Sequence, residues 1–298
     1  MSIDATGWGP DPSRHHLAVV IVNYNTGPYL ERCLASLERL RGDLDVDVLV
    51  IDNASHDGSD ALAVSAHPAA RLLRNPTNRL LSPAWNQGLR ETDSPLVLLL
   101  NPDAELWRGT LADLVSVAER HPNAGIVGPT IREPDGTMYS SGRSFPTVAE
   151  ATAHAIASAF TRRNRFTRRY EHDAWDRASE RSVDWVSGAA MLCRRAALEQ
   201  VGGFDEAFAL YGEELDIATR LRSAGWSVVF TPEVEVIHEG GVSTGRSRGA
   251  LVMHSASIYR YYRKHRAEGW RRLTLPAAWA LLRLRAEVAW LRGRIADR

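Results

Sequence analysis

The sequence predicts an α/β fold with a mostly parallel sheet flanked by helices. Three observations point to it. Over the first 130 residues, short aliphatic runs alternate with amphipathic segments of helical length, the pattern of βαβ units. The runs are continuously apolar, which suits strands covered on both faces. A chain of 298 residues, 44% apolar and 24% charged, fits one large domain or one domain with an appendage.

The elements follow in order. "HLAVVIV" reads as a first strand, and "PYLERCLASLERL" as an amphipathic helix with proline at its start. "VDVLVID" is a second strand, "GSDALAVSAHP" a short helix and "ARLLRN" a third strand. "SPAWNQGLRET" is helical, "SPLVLLLN" a fourth strand, "GTLADLVSVAERHP" a helix and "AGIVGPTI" a fifth strand. In "EPDGTMYSSGRSF", Asp135-Gly136 suits the turn of a hairpin. Residues 149–182 are polar and Arg-rich and read as an excursion from the fold. Strand character returns in "VDWVSGAAMLCRR", and "AALEQVGG" ends a helix on glycine. "EELDIATRLRSAG" is a helix with acids in its first turn, and "WSVVFTPEVEVIH" reads as paired strands. The expected organisation is a tail at 1–16, a core at 17–245 divided into halves 17–130 and 131–245, and a basic helical extension at 246–298.

Composition excludes some classes. No 18-residue apolar run exists, so no spanning helix is expected. The N-terminus lacks a basic-then-apolar signal pattern, which predicts a cytoplasmic protein. Cys33 and Cys193, the two cysteines, sit in apolar patterns and read as core residues rather than a disulfide or zinc site. The net charge of zero hides an asymmetry: residues 246–298 hold 13 Lys/Arg against 3 Asp/Glu. A basic, aromatic tail implies an anionic partner.

Parallel sheets bind ligands beyond the carboxyl ends of their strands. Polar residues gather at those ends: Asn23 and Asn25 after the first strand, Asp52 after the second, Asp103 after the fourth. One such residue is ordinary turn chemistry. Three on one edge predict a site, and Pro102 there ends the ladder and turns the chain.

The segments "VVIVNYNTGPYLERCLASL", "VIDNASHDGS", "LLLNPDAEL", "VSGAAMLCRRAALEQVGGFDEAF", "LYGEELDIATRLRSAGW" and "VIHEGGVSTGR" stand here in the order seen in family-2 glycosyltransferases of the GT-A fold. Within that family the chain resembles bacterial rhamnosyltransferases acting on lipid-linked or polysaccharide acceptors, across roughly residues 17 to 265.

The resemblance implies roles. Asp52 would take hydrogen bonds from the donor's base or ribose, with Asn23 and Asn25 shaping the base pocket. Asp103 would bind a divalent ion, Mg2+ or Mn2+, that offsets charge on the leaving diphosphate. Relatives often carry two acids spaced one apart; here Asn101 fills the first position. That implies a weakly held ion arriving with the donor. His238 would lie near the diphosphate or metal. Inverting transfer needs a base close to the acceptor hydroxyl. Relatives usually show Glu-Asp, so in Glu213-Glu214 the second glutamate takes the base position. The helix dipole alone also favours acids there. Asp216 would support that pocket. Trp185, Ser187 and Gly188 would line the sugar pocket, or Trp185 packs in the core. Arg79 either meets a phosphate or is a solvated loop cation; with Leu80 and Leu81 it stands where relatives carry glycines.

In the tail, Leu281, Leu284, Val288, Leu291 and Ile295 share one helical stripe, with Trp279 and Trp290 roughly opposite and arginines between. One face would pack on the domain and the other enter a membrane interface; a packed or dimerising helix is the alternative. The arginines match no nucleic-acid-binding module, so no nucleic-acid partner is expected.

The reading is therefore an inverting, metal-dependent transferase using a nucleotide-sugar donor, favoured as dTDP-L-rhamnose, and a glycan or polyprenyl-diphosphate acceptor. It would sit peripherally on the inner face of the membrane. Alternatives are a UDP- or GDP-sugar donor, or a non-catalytic sugar-nucleotide-binding scaffold. A nucleotidyltransferase would need a glycine-rich, basic phosphate loop after the first strand, and "NYNTGPYLERC" does not supply one.

Overall fold

The computed structural model describes residues 16–139, 141–145, 177–208, 210–242 and 248–296. The N-terminal tail and most of the Arg-rich excursion at 149–182 lie outside them.

Strand β1 (Leu17–Asn23) shows how the core is organised. Its alternate residues enter two different clusters: Leu17, Val19 and Ile21 on one face, Ala18, Val20 and Val22 on the other. Strand β4 (Leu96–Leu100) divides the same way. Both faces of the sheet are thus covered, which is why these strands read as continuous apolar runs. Helices α1 (Pro28–Leu40) and α4 (Leu111–Arg120) cover the first face through Leu30, Leu34, Leu111 and Leu114. Helices α3 (Leu81–Glu91), α5 (Arg195–Gln200) and α6 (Glu213–Ser223) cover the second through Trp85, Leu198 and Leu215. The approach of α3 is close: a Cβ on Gly88 would lie 2.4 Å from a Val20 methyl. The short α2 (Ser59–Ala66) leads into β3 (Arg71–Arg74).

β2 (Val46–Asp52) and β4 flank β1 in parallel, and β3 extends the sheet in parallel from β2. Next to β4 comes β11 (Ala190–Arg194), antiparallel to it and to β6 (Ala124–Arg132). Two antiparallel pairings in succession return β6 to the direction of β4. β12 (Ser227–His238) then runs parallel to β6, and β5 (Ala104–Arg108) closes the edge antiparallel to β12. The sheet is mostly parallel, as expected.

Several details differ from the sequence reading. "WSVVFTPEVEVIH" is not paired strands but one 12-residue strand, whose register to β6 shifts between Thr231 and Glu235. Pro232 lies in that gap and has no N–H to donate to the ladder. Strand β5 follows Pro102 directly, where only a turn was expected. The hairpin at Asp135-Gly136 forms as expected: β7 (Met138–Tyr139) pairs with β6, and Gly136 sits at φ +82°. Strand β8 (Gly142–Arg143) pairs with β10 (Trp185–Val186), and β9 (Arg181–Val183) pairs with β12. Both cysteines are fully buried and free, and burial pushes their thiols up.

The extension is helical: α7 (Arg248–His265), a 3-10 turn (Gly269–Thr274) and α8 (Leu275–Ala296). Among the described residues, no helix is long and apolar enough to cross a membrane.

Candidate active site

The carboxyl ends of β1 and β2 meet in register, Asn23 opposite Asp52. The Asn23 amide donates to Asp52 Oδ1 at 2.7 Å and to the Ser59 hydroxyl at 2.8 Å. Asp52 also accepts from the backbone N–H and the hydroxyl of Ser55, so it closes an Asx-type turn as well as ending a strand. It is 3% exposed. Asn25, at φ +52°, accepts from the His56 N–H and fixes the same loop from the other side. Asp57 clamps the loop to Gly27: burial pushes its carboxyl up, but hydrogen bonds from Ser59 and Gly27 outweigh this and hold it below the usual range. Arg79 is exposed and reaches only the Gln87 side chain, at 3.4 Å. Leu80 beside it has φ +68° and ψ −176°.

Further along the rim, Asp103 sits in the turn between β4 and β5, 8% exposed. His238 ends β12 in register with Ala104, which brings its ring to Asp103. Nε2 lies 3.3 Å from Asp103 Oδ1 and 3.2 Å from the Asn101 amide. Burial pushes the Asp103 carboxyl up, yet the His238 hydrogen bond and charge win and hold it low. The Glu239 N–H donates to the Asp103 carbonyl and locks the two loops together. Among the described residues, no three His, Cys, Asp or Glu side chains converge as a closed metal cage. Asp103 and His238 form a pair with an amide beside it. Hard oxygen plus imidazole suits a divalent ion whose remaining ligands come from elsewhere.

Asn101 also links this point to the second half of the chain, because its N–H donates to the Ala189 carbonyl. Ser187 and Gly188 are therefore on the rim, and the Ser187 N–H donates to Ser141 beside β8. Trp185 itself is 4% exposed, belongs to the second core cluster and donates from its indole to the Ser144 carbonyl. Its ring is packed in the core, with the Arg143 guanidinium 5.0 Å from the ring centre. Arg143 also lies 4.8 Å from the Tyr139 ring.

The acid pair opens α6, immediately after Tyr211 (φ +65°) and Gly212 (φ +84°). Two left-handed residues in succession make a sharp entry that turns both glutamates inward. One carboxylate oxygen of each, Oε2, is buried without a hydrogen-bond partner among the described residues. Such orphans are rare in folded proteins and concentrate at functional sites. Burial, then the charge of Glu214, pushes the Glu213 carboxyl well up. Burial raises Glu214 too, while its own N–H and the Arg143 charge pull the other way. Burial thus favours keeping a proton on the pair. Arg143 was not anticipated from sequence, where "EPDGTMYSSGRSF" reads only as a hairpin.

Asp216 faces away from this pair. It is fully buried beneath Arg220, Lys264 and His265, at 2.7, 2.7 and 2.6 Å. Burial would raise its carboxyl, but hydrogen bonds from His265 and Lys264 and the charge of Arg220 hold it at about 2. It ties α6 to α7 and so braces the helix that carries the acid pair. Lys264, the only lysine of the chain, is spent on this contact and on Asp205.

Comparison with known proteins matches this arrangement. Residues 18–202 fit the model for glycosyl transferase family 2. The chain belongs to that family. It is 38% identical over 277 residues to the N-acetylglucosaminyl-diphospho-decaprenol L-rhamnosyltransferase of Mycobacterium tuberculosis, covering 89% of each chain. Among solved structures, it resembles a mannosyltransferase from Pyrobaculum calidifontis in complex with GDP-Man and Mn2+, with a TM-score of 0.58 and 20% identity over 97% of this chain and 78% of that one. It also resembles GalNAc-T7 with UDP, GalNAc and Mn2+, with a TM-score of 0.61 and 16% identity over 94% of this chain and 55% of that one. The chain is a family-2 glycosyltransferase with the GT-A fold, as the sequence motifs implied.

Proposed function

We propose that this family-2 enzyme transfers L-rhamnose, with inversion, from dTDP-L-rhamnose to a polyprenyl-diphosphate-linked sugar in cell-envelope glycan synthesis. The observation that carries the reading is the 38% identity, over nearly the whole of both chains, to a rhamnosyltransferase whose acceptor is a diphospho-decaprenol sugar. The work would take place at the cytoplasmic face of the membrane, where such a lipid presents its head group.

Residues 17–130 would form the donor side and residues 131–245 the acceptor side. The donor's nucleotide lies over the Asn23–Asp52 loop, where Asp52 exchanges a bond to Ser55 or Asn23 for one to the base or ribose. Asp103 and His238, with Asn101 beside them, would hold a divalent ion that offsets the negative charge developing on the leaving diphosphate. Glu214 takes the proton from the acceptor hydroxyl through its unpartnered oxygen. The deprotonated acceptor oxygen attacks the anomeric carbon on the face opposite the diphosphate, the new glycosidic bond forms as the bond to the diphosphate breaks, and the nucleoside diphosphate departs. Glu213, kept protonated by burial, can donate a hydrogen bond into the pocket instead of repelling the ionised base.

The test is transfer by the purified chain with a short polyprenyl-diphosphate N-acetylglucosamine, Mg2+ or Mn2+, and dTDP-rhamnose, UDP-sugars or GDP-sugars in separate arms. The reading expects dTDP release and a lipid product heavier by one deoxyhexose. Turnover only with a UDP- or GDP-sugar would reject the donor. Donor binding by calorimetry without turnover on any acceptor would reject catalysis in favour of a scaffold.

A further inference from the structure

The hairpin formed by α7 and α8 leaves one face of α8 uncovered. The helices run antiparallel, because contacts pair the start of α7 with the end of α8 and the reverse. Arg248 holds Glu287 at 2.6 and 2.9 Å and lies 5.4 Å from the Trp290 ring centre, while Tyr259 packs on Trp279 at 5.0 Å. Both tryptophans therefore turn toward α7. Ala286 is 2% exposed and marks the inner side of α8. At about 100° per residue, Leu284 and Leu291 stand nearly opposite Ala286. They are 60% and 51% exposed, with exposed Ala277 and Ala280 on the same line. Leu273, in the turn before α8, is 83% exposed. Of the stripe read from the sequence, Leu284 and Leu291 thus face outward, while Leu281 and Val288 are half-buried.

Arg263, Arg272 and Arg283 are exposed elsewhere on the hairpin, Arg283 5.6 Å from the Trp279 ring centre. Acidic side chains are nearly absent: residues 246–298 contain Glu268, Glu287 and Asp297 only, and Glu287 is already neutralised by Arg248. Isolated leucines on one convex helix with arginines on the same hairpin do not make a groove for a peptide. They match a surface that offers both hydrocarbon and phosphate. The helix is not apolar enough to span such a surface, so it would lie along it.

We infer that the outer face of α8 and the Leu273 turn seat on an anionic lipid surface, leucines below the head groups and arginines on the phosphates. The hairpin's other side fixes what this docking presents. The Ser257 hydroxyl donates to the Leu210 carbonyl at 2.8 Å, His254 packs edge-on to Tyr211, and Lys264 and His265 hold Asp216. These contacts brace the sharp turn that carries Glu213 and Glu214. A membrane-seated hairpin sets the acid pair at a constant height above the bilayer.

The experiment is flotation of the full chain with vesicles of phosphatidylcholine alone and with phosphatidylglycerol added. The parent chain should float with the anionic vesicles and be released by high salt. The double variant Leu284→Glu/Leu291→Glu should lose at least roughly tenfold in bound fraction, with the melting temperature and donor-induced thermal shift of the parent. Should the double variant melt early, Leu273→Glu tests the same face at a more exposed position. Equal flotation of parent and variants would overturn the inference, as would equal binding to neutral vesicles. So would a parent dimer that the variants dissociate with no flotation by either, which would assign the face to self-association.

Discussion

His238 Nε2 lies 3.3 Å from Asp103 Oδ1, and the same nitrogen is 3.2 Å from the Asn101 amide. One ring nitrogen cannot both accept from the amide and donate to the carboxylate. An ion seated between them would take the Nε2 lone pair and an Asp103 oxygen together, the state in which the ring can act as a ligand. His238→Ala should therefore raise the Mn2+ concentration giving half-maximal transfer by about 10–100-fold, the range for lost support at metal sites. A metal titration of initial rates reads this, and an unchanged midpoint would remove His238 from the ion's environment.

Removing the base should be more severe. Glu214→Gln keeps the shape of the side chain but cannot take a proton, so kcat should fall on the order of 10²–10⁴-fold. Donor affinity, read by calorimetry, should hold. Activity retained within about tenfold would move the base elsewhere.

Arg143 gives a pH signature. Glu214 must be ionised to act, so activity rises as pH passes upward through its pKa, which burial has raised. The Arg143 charge opposes that rise. Arg143→Met should thus shift the acid limb of the kcat/KM profile to higher pH, while activity on the alkaline plateau changes less. A uniform loss at every pH would mean that Arg143 only supports the Trp185 and Tyr139 packing.

Much of this rim was legible in the sequence because strand ends announce themselves. An aliphatic run that stops on Asn23, Asp52 or Asp103 fixes both the edge and the chemistry. Contacts made at long range left no local trace. Strand β11 slips antiparallel between β4 and β6, yet "AAMLC" is as apolar as any parallel strand. "AELWR" became β5 only because β12 offered it a partner. Arg143 carried no signal of its own in "EPDGTMYSSGRSF", and the pairing of β8 with β10 sets it against Trp185. Asp216 shared the helical turn of the acid pair, and only the return of α7 brings Lys264 and His265 to its side, opposite Arg220 of its own helix. In α8 the helical period showed which leucines share a face but not which way that face points.

Asp216 links the fold to acid stability. Its folded carboxyl sits at about 2, below the ordinary aspartate value of 3.8. A lowered carboxyl contributes stability above its unfolded pKa and loses it as pH falls through the folded value. About 2 kcal/mol should accordingly disappear between about pH 4 and pH 2. Asp216→Asn should abolish that slope and, by taking the carboxylate from Arg220 and Lys264, destabilise the protein by about 2 kcal/mol at neutral pH. Urea unfolding at several pH values measures both effects, and a parallel pH dependence in parent and variant would show that the link between α6 and α7 rests on other contacts.

Leu80 carries the last prediction. Its φ of +68° with ψ of −176° belongs to a region that only glycine visits freely, at about 1–3 kcal/mol for other residues. The conformation is held from both sides: the Leu80 N–H donates to Asn78 Oδ1 at 2.8 Å, and its carbonyl accepts from the Asn53 amide at 3.2 Å. Asn53 follows Asp52 directly, so this strained carbonyl buttresses the loop proposed to hold the nucleotide. Leu80→Gly should relieve the strain, at an unfolded-state entropy cost of roughly 0.5–1 kcal/mol. Strain relief exceeds that cost, so the variant should be more stable by about 1 kcal/mol in urea unfolding. The leucine side chain is 40% exposed, so packing does not require it. If it shapes the donor pocket, the stabilised variant should discriminate less between dTDP-rhamnose and other sugar nucleotides, read as a ratio of kcat/KM values. A less stable variant would show that leucine packing outweighs the backbone strain, and unchanged discrimination would place Leu80 outside the donor's reach.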